Sequence, residues 1–196
     1  MARTGMSDIL TELRILSEAG TADYSLAGDT YWSDNQLQNI LDQYRTDVVY
    51  EQLTSYPVTV AGGSLSWLDY RSSYDWLEAT TGGTAILYIQ DGAGTTIGTS
   101  TYTPDYIRGQ FQFGSDQQGS TYYLTARSYD LSSAAAAVWR RKAAHYAPTS
   151  FDFSTDNHSI KRSMVYQHCL EMAEYFEGKG AESIQSITMF RSDLNE

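Results

Sequence analysis

The chain has 196 residues, of which 41% are hydrophobic and 13% aromatic. That length can bury a core without staples and suits one domain, or one domain with a sizeable insertion, and the composition argues against a disordered tail. A net charge of −11 with 13 lysines and arginines argues against a protein that grips nucleic acid by neutralising phosphates.

Residues 1–57 read as helical. Ser7 can cap a short helix in which Ile9, Leu10, Leu13 and Leu16 recur at helical spacing, with Gly20 shortly past its end. A polar connection through Gly28 and Asp29 leads to a second helix. Ser33 and Gln36 form a capping-box pattern that satisfies two backbone donors at its start. Leu37, Ile40, Leu41, Tyr44, Val48 and Leu53 keep one apolar face, and Pro57 stops any continuation.

Residues 58–128 are rich in Gly, Thr, Ser and Tyr and poor in helix formers. Runs with strand chemistry at 85–90, 106–113 and 120–127 alternate with turn signals. Gln110-Phe111-Gln112-Phe113 has the period-two alternation of a half-buried strand. Asp91-Gly92-Ala93-Gly94 reads as a hairpin turn, since glycines accept the positive φ that tight hairpins demand. The region is expected to be an antiparallel unit of about four to six strands.

Residues 129–180 return to helix. Asp130 or Ser132 caps an alanine-rich run from 134 to 146 with Val138, Trp139 and Ala143 on the packed side, closed by Pro148. A loop with Phe151 and Phe153 precedes a last helix that starts near His158 or Ser159. It is expected to turn Ile160, Met164, Leu170, Ala173 and Phe176 inward and to stop at Gly178 and Gly180. Residues 181–196 form an extended arm carrying Ile184, Ile187, Met189 and Phe190. The expected fold is α+β: a small helical bundle with an inserted antiparallel β unit and this arm.

Little local chemistry is visible. His145, His158 and His168 make no metal-ligand pattern, and the helical offsets of His168, Cys169 and Glu171 scatter them around the helix. The single cysteine, Cys169, excludes an intrachain disulfide, fits a reducing cytoplasm and reads as a small core hydrophobe. Gly92-Ala93-Gly94 lacks the lysine and helix start of a phosphate loop. Arg140-Arg141-Lys142 reads as a solvated face, or as a contact for phosphate or acidic partners. Carboxylates are abundant, but no local pattern pairs two for acid–base work and no nucleophile motif occurs. No catalytic residue, cofactor or metal is expected. No apolar stretch suggests a signal peptide or a membrane span, so neither standard export nor a membrane partner is expected.

Two stretches resemble the head-to-tail connector, or adaptor, proteins of tailed bacteriophages. One is Tyr31-Trp-Ser-Asp-Asn-Gln-Leu-Gln-Asn-Ile-Leu-Asp-Gln-Tyr-Arg-Thr-Asp-Val-Val49. The other runs Tyr129-Asp-Leu-Ser-Ser-Ala-Ala-Ala-Ala-Val-Trp139, continues through Phe151-Asp-Phe-Ser-Thr-Asp-Asn-His-Ser-Ile-Lys-Arg-Ser163, and ends at Leu170-Glu-Met-Ala173. Together they cover a little under half of the chain. The middle also resembles a β insertion of some members, around Asp91-Gly92, Pro104-Asp105 and Gly109-Gln-Phe-Gln-Phe113.

The resemblance implies a structural virion protein of the neck, made in the host cytoplasm and without catalysis. Its partners would be the portal protein above, a stopper or tail-completion protein below, and its own copies in a homo-oligomeric ring, commonly dodecameric. DNA would pass through the lumen without specific binding. The arm residues Ile184, Ile187, Met189 and Phe190 would bind the portal, for instance by adding a strand to an exposed edge. Packing of these residues back on their own subunit is the alternative. Tyr70, Tyr74, Trp76, Phe111 and Phe113 are the candidate contacts with neighbouring subunits. The rival readings are a stopper or tail-terminator subunit, and a carbohydrate-binding module built on Trp67, Tyr70, Tyr74 and Trp76. An acid–base enzyme is a third.

Overall fold

The computed structural model describes residues 2–59, 63–79, 86–149, 152–155, 158–161 and 163–181. The fold is α+β with antiparallel sheets, and it is built on two hydrophobic cores, one helical and one between strands.

The helical core takes its first wall from α1 (Ser7–Ser17), which follows a 3-10 turn at Thr4–Met6. Ile9, Leu10 and Leu13 are buried as their spacing requires. Ser7 is not the cap: Met6 holds that position, and no side chain caps the helix. Gly20 lies shortly past the end of the helix, as expected. Glu18 adopts the left-handed conformation at φ 49°, and the Ala19 N–H closes on the Arg14 carbonyl. The polar connection that follows is a hairpin of β1 (Tyr24–Leu26) and β2 (Asp29–Tyr31), turned by Ala27 and Gly28, both at positive φ.

Helix α2 (Asp34–Leu41) starts with the expected capping box. Ser33 Oγ accepts from the Gln36 N–H at 3.3 Å, and Gln36 Oε1 accepts from the Ser33 N–H at 2.8 Å. The helix ends much earlier than its apolar spacing suggested. After a 3-10 turn at Asp42–Tyr44 the chain becomes β3 (Arg45–Gln52), which pairs with β9 (Tyr122–Tyr129). Thr46, Val48, Val49 and Tyr50 have strand chemistry, and the decisive ladder is to residues some eighty positions away. A bulge between Val48 and Glu51 places Tyr50 at φ 55° and stacks its ring on Tyr123.

Because β3 joins the sheets, the protein is not a small helical bundle with an insert. One sheet has the order β3-β9-β6, with β6 at Tyr88–Asp91. The other has the order β4-β5-β8-β7, from β4 (Thr54–Thr59), β5 (Leu65–Arg71), β7 (Tyr102–Asp105) and β8 (Gln110–Phe113). Pro57 stands inside β4, on the edge of its sheet and at a register shift, where a missing N–H is tolerated. Both sheets fill one core with Tyr70, Ile89, Phe111, Phe113, Tyr122 and Leu124. The predicted alternation of β8 holds, since Phe111 and Phe113 are buried and Gln112 is exposed. The turn after β6 is tight as expected, with the Gly94 N–H donating to the Asp91 carbonyl at 3.0 Å and Gly94 at φ 82°.

Strand β9 runs directly into α3 (Leu131–Tyr146), capped by Asp130, whose Oδ1 accepts from the Ser133 N–H at 3.0 Å. Val138, Trp139 and Ala143 are buried, as read from the sequence. The expected loop around Phe153 is a second hairpin, β10 (Asp152–Thr155) with β11 (His158–Lys161); Phe151 lies outside the described residues. Ile160 therefore belongs to β11 rather than to the last helix.

Helix α4 (Ser163–Ala181) packs along α3 through Cys169, Ala173 and Phe176, while Met164 is exposed. Gly178 and Gly180 lie within α4 and do not end it. A Cβ at Gly180 would approach Ser133 Oγ to 3.0 Å, so the glycine lets the end of α4 close on the start of α3.

Candidate functional site

Three side-chain constellations stand out, and each lies where elements distant in sequence meet. The first is a buried ionic network at the junction of the two cores. Glu78 is fully buried, with Oε1 accepting from Arg3 Nε at 2.8 Å and Oε2 accepting from the Tyr129 hydroxyl at 2.6 Å. Arg3 also grips Asp42 in bidentate fashion at 2.6 and 3.1 Å and donates to the Tyr129 oxygen at 2.9 Å. The Arg3 hydrogen bonds hold the Asp42 carboxyl below its ordinary range. Burial, then the bond to Glu78, raises the Tyr129 phenol above its own. Every polar group in this network has a partner, so its role is to lock the N-terminus, α2 and β9 together. Sequence reading missed it, because its members lie up to 126 positions apart and form no local pattern.

The second is a polar cleft of about 750 Å³ between the loop at 72–77, the start of α3 and the end of α4. Glu51 accepts hydrogen bonds from Ser72 Oγ and the Ser73 N–H, and Ser128 Oγ donates to the Asp75 carbonyl at 2.7 Å. Gly109, at φ 60°, lets the loop approach closely, since a Cβ there would lie 2.0 Å from the Tyr74 carbonyl oxygen. The loop is thereby fixed, and it presents Tyr74, 38% exposed, beside a half-buried Trp76. Asp75, Asp130 and Lys179 line the same cleft. The third constellation is an aromatic cleft at Tyr24, Tyr31 and His145.

Of the five candidate neighbour contacts, Tyr74 and Trp76 reach this polar cleft. Tyr70, Phe111 and Phe113 do not serve: they are 1%, 0% and 3% exposed and form the β core, where each is more stable than at a surface. Trp67 packs on the β core and Trp76 on the helical core, so the four aromatic residues proposed for sugar stacking do not share one surface. The arm residues Ile184, Ile187, Met189 and Phe190 lie outside the described residues.

The basic run 140–142 is divided among three roles. Arg140 pairs with Glu177, and Lys142 is buried over the Trp139 ring, donating to the Glu18 carbonyl at 2.8 Å with Asp23 at 3.3 Å. Arg141 remains exposed at the aromatic cleft. Cys169 is buried, and burial raises its thiol, which suits a core residue and not a nucleophile. The His168 ring packs edge-on against Trp139. Among the described residues no group of three or more His, Cys, Asp or Glu side chains could hold a metal ion. No described helix is long and apolar enough to cross a membrane.

No family model matches the chain, and no curated protein matches it.

Proposed function

We propose that this chain is a structural, non-enzymatic head-to-tail adaptor of a tailed bacteriophage. In this reading it forms a homo-oligomeric ring, commonly dodecameric, between the portal and a stopper or tail-completion protein. DNA passes through its lumen without specific binding.

The observation that carries the reading is the ordered set of stretches at 31–49 and 129–173. Their helical parts converge on a single core: Leu37, Ile40 and Leu41 of α2 meet Ala134, Ala135 and Val138 of α3, and Cys169 and Ala173 of α4 close it. Two further features favour it. A net charge of −11 opposes adhesion to a DNA backbone that slides past. The fixed loop presents the partly exposed Tyr74 and the half-buried Trp76 beside the end of α4, and aromatic side chains of this kind are enriched in subunit contacts.

The test is co-sedimentation of the purified protein with the portal ring of its phage, viewed by negative-stain electron microscopy. An extra ring at the narrow end of the portal is the expected result. Location farther down the tail would reassign the chain to a stopper or terminator, and absence from the particle would overturn the virion reading.

A further inference from the structure

The aromatic cleft between the first hairpin and the end of α3 is open to solvent and has a volume of about 270 Å³. Tyr24 of β1 is its centre. The Tyr24 ring lies parallel to His145 at 3.8 Å between centroids and to Tyr31 at 4.9 Å. Leu26, 53% exposed, and Pro148 extend the apolar lining. Partial burial pushes the Tyr24 hydroxyl up to about 12, so it stays protonated and remains a donor at neutral pH.

The rim carries Arg141. Its two sequence neighbours are both engaged, Arg140 with Glu177 and Lys142 with Asp23 and the Glu18 carbonyl. Arg141 makes no hydrogen bond or ion pair with any described residue. In a chain with 24 acidic and 13 basic residues, a guanidinium that no carboxylate among the described residues engages, beside an open aromatic cleft, is an unfilled complement. One guanidinium matches one carboxylate through a planar two-bond fork, and the rings beside it match a flat or branched apolar side chain. A polyanion such as a nucleic acid needs several cations in a row, and the described lining of this cleft offers one arginine and no lysine.

From this geometry we infer that the cleft is a docking site for a peptide segment of a partner protein that presents a single carboxylate next to an aromatic or branched apolar side chain. The carboxylate pairs with Arg141, and the apolar side chain lies against Tyr24, Tyr31 and His145. The proposal stands apart from the adaptor reading, since it concerns the chemistry of the ligand and not the place of the protein in a particle.

The probe is the blocked peptide acetyl-Gly-Phe-Asp-Gly-amide, titrated into the full chain while the His145 ring protons are followed by NMR. Saturable shifts are expected. The isosteric Phe-Asn peptide should bind roughly tenfold more weakly or worse, the loss of one charge-assisted hydrogen-bonded pair. Arg141→Glu should abolish binding, and Arg141→Lys should weaken it because an ammonium lacks the fork. Arg141 is exposed, and an unchanged circular dichroism spectrum of both variants confirms that the fold is intact. Equal binding of the Asp and Asn peptides, or binding that survives Arg141→Glu, overturns the proposal. So does an oligothymidine that shifts the same protons while the peptide does not. Self-association that Arg141→Glu abolishes and the peptide fails to compete would make the occupant a second copy of this chain and overturn it too.

Discussion

Glu78 shows how much a single side chain contributes here. It is fully buried, and its charge is balanced by Arg3, by Arg127 at 3.6 Å and by the Tyr129 hydroxyl. Glu78→Ala leaves Arg3 short of a partner and the Tyr129 oxygen without its acceptor at the junction of the two cores. The expected cost is roughly 3 kcal/mol, read as a lower urea midpoint at unchanged slope. Asp42 provides the pH dependence. Its folded-state carboxyl is depressed by Arg3, so its contribution is complete above the unfolded value near 3.8 and is lost as pH falls through the lower folded value. The stability gap between the wild type and Asp42→Asn should therefore be full at neutral pH and shrink below about 3.8, as measured by urea midpoints across that range. A gap that is constant with pH would mean that Asp42 acts by packing alone.

At the scale of elements, α2 depends heavily on its cap. The helix runs only from Asp34 to Leu41, too short to be stable by propensity, and Ser33 with Gln36 satisfies two of its free donors. Ser33→Ala should cost about 1 kcal/mol, seen as a lower thermal midpoint, and Ser33→Asp should restore most of it. This cap was legible because all its atoms lie within four residues. So were the Asp130 cap, the buried face of α3 and the alternation of β8. The fate of residues 45–53 was not legible. Val48 and Leu53 continue the helical spacing of Leu37, Ile40 and Leu41, and only pairing of β3 with β9 turns them into strand and β core. The glycines of α4 misled for a related reason: Gly180 answers to Ser133 and Asp130 on another helix, not to the end of its own.

Two cores meet at the Glu78 network, and the chain leaves the described fold at Ala181, beside the polar cleft of Tyr74 and Trp76. On the adaptor reading, deleting residues 182–196 should abolish co-sedimentation with the portal ring. Portal binding that survives the deletion would dismiss the arm as the portal contact. Features controlled by short-range chemistry could be read from the sequence alone. The sequence marked the acidic charge, the caps, the alternating strand, the alanine-rich helix and the α+β class. Long-range packing set the boundary between helix and sheet at Tyr44, the burial of Tyr70, Phe111 and Phe113, the Arg3–Glu78–Tyr129 network and the place of Arg141 at the rim of the aromatic cleft. Each of these depends on which distant segments come together, and local pattern carries no record of partners many tens of residues away.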